Sequence, residues 1–200
     1  MFITFEGGEG TGKSTQVKLL ADRLRGQGID VLATREPGGT PEAEAIRNIL
    51  VNGGPDSLSA EAEALLNYAA RDHHLRHLIR PALAKGTTVI CDRFMDSTRA
   101  YQACAGGASQ SFIDTLEQTI VGKTLPNLTL IFDLDPKLGL ERARTRGGAD
   151  RFEKKGLDFH QKLRAGFLEI AKQHPQRCKL IDAAQPLDVV TKLVWDAVHG

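Results

Sequence analysis

Eight residues near the start of the chain, Gly7-Gly8-Glu9-Gly10-Thr11-Gly12-Lys13-Ser14, constrain its fold more than any other feature. They satisfy the pattern GxxxxGK[ST], and they sit between a short apolar run ending at Phe5 and an amphipathic stretch opening near Lys13. Glycine lets a backbone wrap around an anion and turn successive N–H groups toward it. A helix that begins at the end of such a loop adds the positive end of its dipole. Lys13 has the reach for the outer phosphates of a nucleoside triphosphate, and the Ser14 hydroxyl is a ligand for Mg²⁺. A glycine-rich turn without chemistry needs no strand before it and no helix after it. Gly7 to Thr15 are therefore read as a binding site for ATP or GTP carried with Mg²⁺.

The rest of the chain alternates short apolar runs with longer amphipathic stretches, the pattern of helices packed on a parallel sheet. Strands are expected at Phe2–Phe5, Asp30–Thr34, Thr87–Cys91, Leu128–Asp133 and Cys178–Ile181. Val17, Leu20, Ala21 and Leu24 recur at helical spacing, as do Leu58, Ala62, Leu65, Leu66 and Ala69 on a long helix running towards Ile79. A last helix would bury Leu187, Val190, Val194 and Ala197, with Trp195 in the core. The fold class is α/β, a P-loop NTPase fold with a five-stranded, mainly parallel sheet and helices on both faces. The 200 residues read as one domain, without repeat or linker. Residues 142–155 are rich in arginine, charge and glycine, which suits a solvated loop or a mobile lid better than core.

Composition narrows the partners. With 26 Lys and Arg against 25 Asp and Glu, the formal net charge of +1 gives no field that would draw nucleic acid or a membrane surface. Anion binding must come from local clusters. The three cysteines, Cys91, Cys104 and Cys178, lack CxxC spacing and fit free thiols in a reducing compartment, with Cys91 as packing. No basic segment followed by a long apolar one precedes the loop, so a cytoplasmic location is expected.

A phosphate-binding loop is shared by switches, motors and kinases. The guanine-selecting NKxD and the LSGGQ of transport ATPases are both absent, which favours nucleotide and small-molecule kinases. Asp92-Arg93-Phe94 follows the third strand at its carboxyl end, the edge that faces the ligand crevice of an open α/β sheet. Asp92 is placed to act on the metal, directly or through water, and Arg93 offers a planar fork to a phosphate. Arg35 ends the second strand at the same edge, and Arg47 and Arg71 lie on the next two helices. Four arginines exceed what ATP needs, so they imply an acceptor that carries its own phosphate. His73, His74 and His77 look like a solvated helix face more than a metal site.

Together these motifs resemble thymidylate kinases along nearly the whole chain. The resemblance is carried by the loop with Glu9, Arg35-Glu36-Pro37-Gly38-Gly39-Thr40, Tyr68-Ala69-Ala70-Arg71, Asp92-Arg93-Phe94-Met95-Asp96-Ser97, Ala100-Tyr101-Gln102 and Phe132-Asp133-Leu134-Asp135-Pro136. It implies transfer of the γ-phosphoryl group of ATP, with Mg²⁺, to dTMP, giving dTDP and ADP, by a homodimer. Arg35, Arg71 and Arg93 would surround the dTMP phosphate, near Pro37. Ser97, Thr98 and Gln102 would line the thymine pocket, Tyr101 would stand against the sugar, and Arg47 would lie over the ring. Glu9 would sit beside the acceptor, with Lys13 and Arg93 at the transferred group. Where some members carry an arginine within the loop this chain has Gly10, so Arg142, Arg144, Arg146 or Arg151 of the lid would supply that charge, Arg146 and Arg151 above all. Asn67 stands where the family places a phenylalanine that stacks on thymine; either the adjacent Tyr68 takes over or the stack is weakened. The rival readings are a nucleoside monophosphate kinase of other base preference, a nucleoside kinase and an ATP-driven switch.

Overall fold

The computed structural model describes residues 1–52, 54, 57–146 and 151–200, and the backbone alone of Arg146. Five strands form one all-parallel sheet in the order β2-β3-β1-β4-β5, namely β1 (Phe2–Gly7), β2 (Val31–Arg35), β3 (Thr88–Asp92), β4 (Leu128–Asp133) and β5 (Cys178–Asp182). The expected strands are all present, each within two residues of its expected bounds. Every residue of β1 is buried, as a central strand covered on both faces requires.

The first core cluster lies on one face of the sheet. Helix α1 (Lys13–Gly26) contributes Val17, Leu20, Ala21 and Leu24, as its spacing predicts, against Ile3, Phe5 and Leu130. The last helix, Leu187–His199, adds Val190 and Val194, with Trp195 partly buried against them under the Arg23 guanidinium. Leu187 departs from expectation and is 59% exposed, because it opens that helix at the rim of a cleft. The opposite face holds α2 (Pro41–Val51), capped by the Thr40 hydroxyl, and α3 (Ala60–His74), capped by Ser59.

Helix α3 corrects the expected face. Leu65 and Ala69 point outward, and the buried positions are Glu63, Ala64, Tyr68, Ala70, Arg71 and His74. Ala64 and Tyr68 enter the second core cluster with Phe2, Leu75, Cys91 and Phe94. Glu63, Arg71 and His74 are buried among polar partners. A helix that turns part of its inner side to a polar cleft shows no clean apolar stripe.

The chain continues from α3 through a π-helical turn, Leu75–Ile79, into α4 (Arg80–Ala84). After β3, a short α5 (Met95–Thr98) passes into a second π-helical segment, Arg99–Ala105. Wider turns of this kind recur at functional sites because they re-aim side chains. Here Ser97 and Thr98, then Tyr101 and Gln102, all reach the same cleft. Beyond it run α6 (Gln110–Ile120), α7 (Pro136–Arg146) and α8 (Leu157–Gln173), so that Leu187–His199 is α9. Asp135 caps α7, its Oδ1 accepting from Lys137 N at 2.9 Å. Among the described residues no helix is long and apolar enough to cross a membrane.

Candidate active site

The carboxyl ends of the strands gather the chemistry on one edge. β1 runs into the glycine-rich loop, β2 ends at Arg35, β3 ends at Asp92 beside it in register, and β4 ends at Asp133. Across the loop, Lys13 Nζ donates to Gly8 O at 2.7 Å and to Thr11 Oγ1 at 3.0 Å. Burial, then the nearby Arg93 charge, lower the Lys13 ammonium to about 8, although Glu9, Asp92 and Glu6 pull the other way. Ser14 Oγ donates to Asp92 Oδ2 at 2.5 Å, which places two hard oxygens side by side at the start of α1. At Gly10 (φ 67°) a side chain would overlap the Gly139 carbonyl of α7, so the loop tip lies directly on the helix that leads to the lid.

A cleft of about 200 Å³ opens from Lys13 and Ser14 and extends away from the loop. It brings together Glu9, Arg35, Pro37, Arg47, Asn67, Arg71, Asp92, Arg93, Ser97, Thr98, Tyr101 and Gln102. Arg93 stands at the loop end. Its Nη1 donates to Gly7 O at 2.8 Å, its Nη2 to Glu9 Oε1 at 2.8 Å, and its guanidinium lies over the Tyr101 ring. Tyr101 Oη donates to the same Glu9 oxygen at 2.5 Å. Burial alone would raise the Glu9 carboxyl, but Arg93, Lys13 and this hydroxyl outweigh it and hold the group at about 2. Arg93 has a backbone φ of 69°, rare for a residue with a side chain and typical of functional sites.

Arg71 occupies a different part of the cleft. It is 2% exposed; its Nε donates to Glu36 Oε2 at 2.7 Å and its Nη2 to Phe94 O and Thr98 Oγ1. Its Nη1 is buried and makes no hydrogen bond among the described residues. Arg35 lies at the exposed rim, forked by Glu44, and Arg47 donates to Pro37 O at 2.9 Å.

Several participants were not anticipated. Glu6, wholly buried on β1, accepts from Phe94 N at 2.7 Å and Ser97 Oγ at 2.5 Å. Burial, then the neighbouring Asp96 charge, raise it to about 7. Phe152, within the segment expected as a lid, lines the cleft and meets Tyr101 edge-on at 5.4 Å. A second cleft runs from Thr11, Gly12 and Thr15 to Ala183–Leu187, with Arg142 anchored there by Ala183 O at 3.0 Å. The run Ala-Ala-Gln-Pro after β5 carries no motif, so composition gave no signal for it.

Three expectations need correction. Tyr68 does not reach the cleft: it is 1% exposed in the second core cluster, while Asn67, one residue earlier, lines the cleft and donates from Nδ2 to Glu63 O. One step along a helix turns a side chain by about 100°, so the two positions face different surroundings. Arg151 is fully buried and paired with Glu63, with a second bond to Ser57 Oγ at 3.0 Å, so its guanidinium is held by α3 and not by the glycine-rich loop. His74 is not part of a solvated face. It is fully buried, with Nδ1 at 2.9 Å from Glu36 Oε1 and Nε2 at 2.8 Å from Thr34 Oγ1. Glu36, His74 and Cys91 lie within 4.8 Å of one another, but both ring nitrogens are already bonded and Glu36 is shared with Arg71. This is a hydrogen-bond network rather than a cation site, and burial pushes the Cys91 thiol well above its usual value. His77 does sit in solvent, stacked at 4.1 Å on His73, which is half-buried and held by Thr40 Oγ1 at 2.9 Å and Glu42 Oε2 at 3.2 Å. The side chain of Arg146 lies outside the described residues, as do residues 147–150 of the expected lid.

Known proteins resemble this chain along nearly its whole length. A family model described as thymidylate kinase matches residues 5–194. The thymidylate kinase of Caulobacter vibrioides is 59% identical over 197 residues, covering 98% of this chain and 95% of that protein. That of Magnetococcus marinus is 52% identical over 200 residues, covering 100% and 95%. The crystal structure of thymidylate kinase from Ehrlichia chaffeensis superposes with a TM-score of 0.83 at 36% identity, covering 100% of this chain and 98% of that one.

Proposed function

The chain belongs to the thymidylate kinase family, and on that premise we propose how its residues share the transfer of the γ-phosphoryl group from ATP to dTMP. The products are dTDP and ADP. The observation that supports this reading is the continuity of the arginine-lined cleft with Lys13 and Ser14, which suits a second anionic ligand bound end-on to the donor phosphates. Gly7 to Thr15 cradle the ATP phosphates, and the cleft from Gly12 to Leu187 takes the adenosine. Ser14 Oγ and Asp92 Oδ2 are two adjacent oxygens of the type Mg²⁺ prefers, so the donor set fits a metal arriving with ATP. Bound there, Mg²⁺ supplies charge neutralisation on the phosphates.

On the acceptor side, Arg93 holds the dTMP phosphate against the loop, with Arg35 at the rim. Glu9 remains ionised and fixes the Arg93 fork and the Tyr101 hydroxyl, so Tyr101 stands against the sugar. Arg71 is assigned to the base instead of the phosphate. Its charge is already matched by Glu36, and its one open donor, Nη1, suits a neutral ring carbonyl. Ser97, Thr98, Gln102 and Asn67 complete the base pocket. Arg47 covers its open side, and with Asn67 in place of an aromatic residue the ring stack on α3 is weakened.

The acceptor oxygen of dTMP is anionic, so no strong base is needed and positioning with charge neutralisation does the work. The lid, residues 142–155, supplies the remaining cation. Arg142 is engaged at the adenosine cleft and Arg151 with Glu63, which leaves Arg144 and Arg146 of the four; of the two favoured above, Arg146 is kept for the transferring phosphoryl group. One domain spans residues 1–200. Leu65 and Ala69, exposed one turn apart on α3, suit a homodimer contact, and three free cysteines suit the cytoplasm. Incubation with Mg-ATP and dTMP should yield dTDP and ADP in equal amounts, resolved by anion-exchange chromatography. ADP formed without dTDP would sink the assignment.

A further inference from the structure

We propose that Glu63 is a specificity-determining positioning residue: it fixes the Gln102 amide so that the base pocket presents a hydrogen-bond acceptor and selects bases carrying a ring N–H. The inference rests on the acceptor-site reading above and deepens it.

Glu63 lies in the first turn of α3, 4% exposed, with both carboxylate oxygens engaged. Oε1 accepts from Nη2 of the fully buried Arg151, and Oε2 accepts from Gln102 Nε2 at 2.8 Å. An ionised carboxylate has no proton to give, so only the nitrogen end of an amide can face it. The Gln102 amide therefore turns its nitrogen to Glu63. Rotating the amide would set its carbonyl oxygen against a carboxylate oxygen and leave both buried acceptors unsatisfied. Gln102 is itself 2% exposed and lines the cleft beside Thr98 and Tyr101. With Nε2 taken by Glu63, Oε1 is the end left for a ligand.

A pocket with a fixed acceptor there matches the N3–H of thymine or uracil. Cytosine offers a bare N3 lone pair at that position, so acceptor would meet acceptor. A site built to hydrogen-bond its substrate rejects a mismatched analogue far more strongly than an apolar pocket rejects a missing methyl group. Glu63, which need not touch the nucleotide, thus sets which pyrimidine ring the pocket reads. Arg71 adds a second bias in the same direction, since its Nη1 donor suits a ring carbonyl and not an exocyclic amine.

The test is Glu63→Gln. The new side chain can accept from Arg151 through its carbonyl and donate to Gln102 through its amide, which turns Nε2 of Gln102 toward the cleft. Rates of ADP release are measured with dTMP, dUMP and dCMP on variant and parent, alongside thermal melting to confirm folding. The ratio of kcat/KM for dTMP over dCMP should fall roughly 10- to 100-fold, through KM more than kcat, with dUMP falling in parallel with dTMP. Glu63→Asp, which keeps the carboxylate, should restore much of the ratio. A folded Glu63→Gln variant that loses activity on dTMP and dCMP in equal proportion would overturn the proposal. If that variant does not fold, Gln102→Leu decides: removal of the amide should shrink the ratio, and an unchanged ratio would refute the role. Turnover of dTMP by the parent enzyme tests the acceptor reading separately, so the two failures are distinguishable.

Discussion

Arg93 joins the two halves of the site. Its left-handed backbone costs roughly 1–2 kcal/mol, and the contacts that hold it there, Gly7 O, Glu9 and the Tyr101 ring, belong to both the loop and the acceptor cleft. Behind it sits Glu6, whose buried carboxyl is raised to about 7. The folded state therefore binds more protons than the unfolded chain between about 4.5 and 7, so this contribution to stability is full at the low end and lost as pH rises through 7. Glu9, held at about 2, acts in the opposite sense, losing its contribution as pH falls from about 4.5 through 2, outside that window. Urea midpoints at pH 5 and pH 8 should show the parent losing on the order of 1–2 kcal/mol as pH rises, and Glu6→Gln losing less. Parallel losses in both proteins would remove Glu6 from the explanation.

At the scale of elements, α3 and the end of β2 form one unit. Half-buried Thr34 and the buried His74, Glu36 and Arg71 make a hydrogen-bonded chain that fixes the Arg71 guanidinium. Replacing His74 by Phe leaves Glu36 short of a donor and should cost about 1–3 kcal/mol of stability. It should also raise KM for dTMP more than KM for ATP, since Arg71 lines the cleft proposed for the acceptor and not the one proposed for the adenosine; equal changes in both constants would argue for a purely structural role. The same helix explains what the sequence concealed. The loop from Gly7 to Ser14 was legible because its glycines, lysine and serine act locally, in order, between a strand and a helix. Arg35, Arg47, Arg71 and Arg93 were legible as a group because four arginines approaching one crevice exceed the needs of ATP, and all four line one cleft. Glu63 and His74 were not, because polar residues on a helix read as solvated until their distant partners, Gln102 and Thr34, are in place. Tyr68 misled for the related reason that helix phase, not adjacency to Asn67, decides what a residue faces.

For the whole molecule, the loop tip packs directly on Gly139 of α7, while Arg151, from the expected lid, pairs with Glu63 of α3. The two candidate lid arginines should then separate cleanly. Arg151→Ala leaves Glu63 buried without its partner and should lower stability by about 3 kcal/mol, read from urea denaturation. Arg146→Ala should leave the melting temperature unchanged and lower kcat about 10³-fold, as loss of a cation at a transferring phosphoryl group does. Reversed outcomes would exchange their roles. The central claim is that one cleft binds a phosphorylated acceptor end-on to ATP, and it is tested by ADP release from Mg-ATP with dTMP, dUMP, dCMP, dGMP, dAMP and thymidine supplied separately. Turnover should be strongest with dTMP, weak with thymidine, and lost with dTMP in Arg93→Ala. Turnover that does not depend on the acceptor, or that survives the loss of Arg93 intact, would contradict the account.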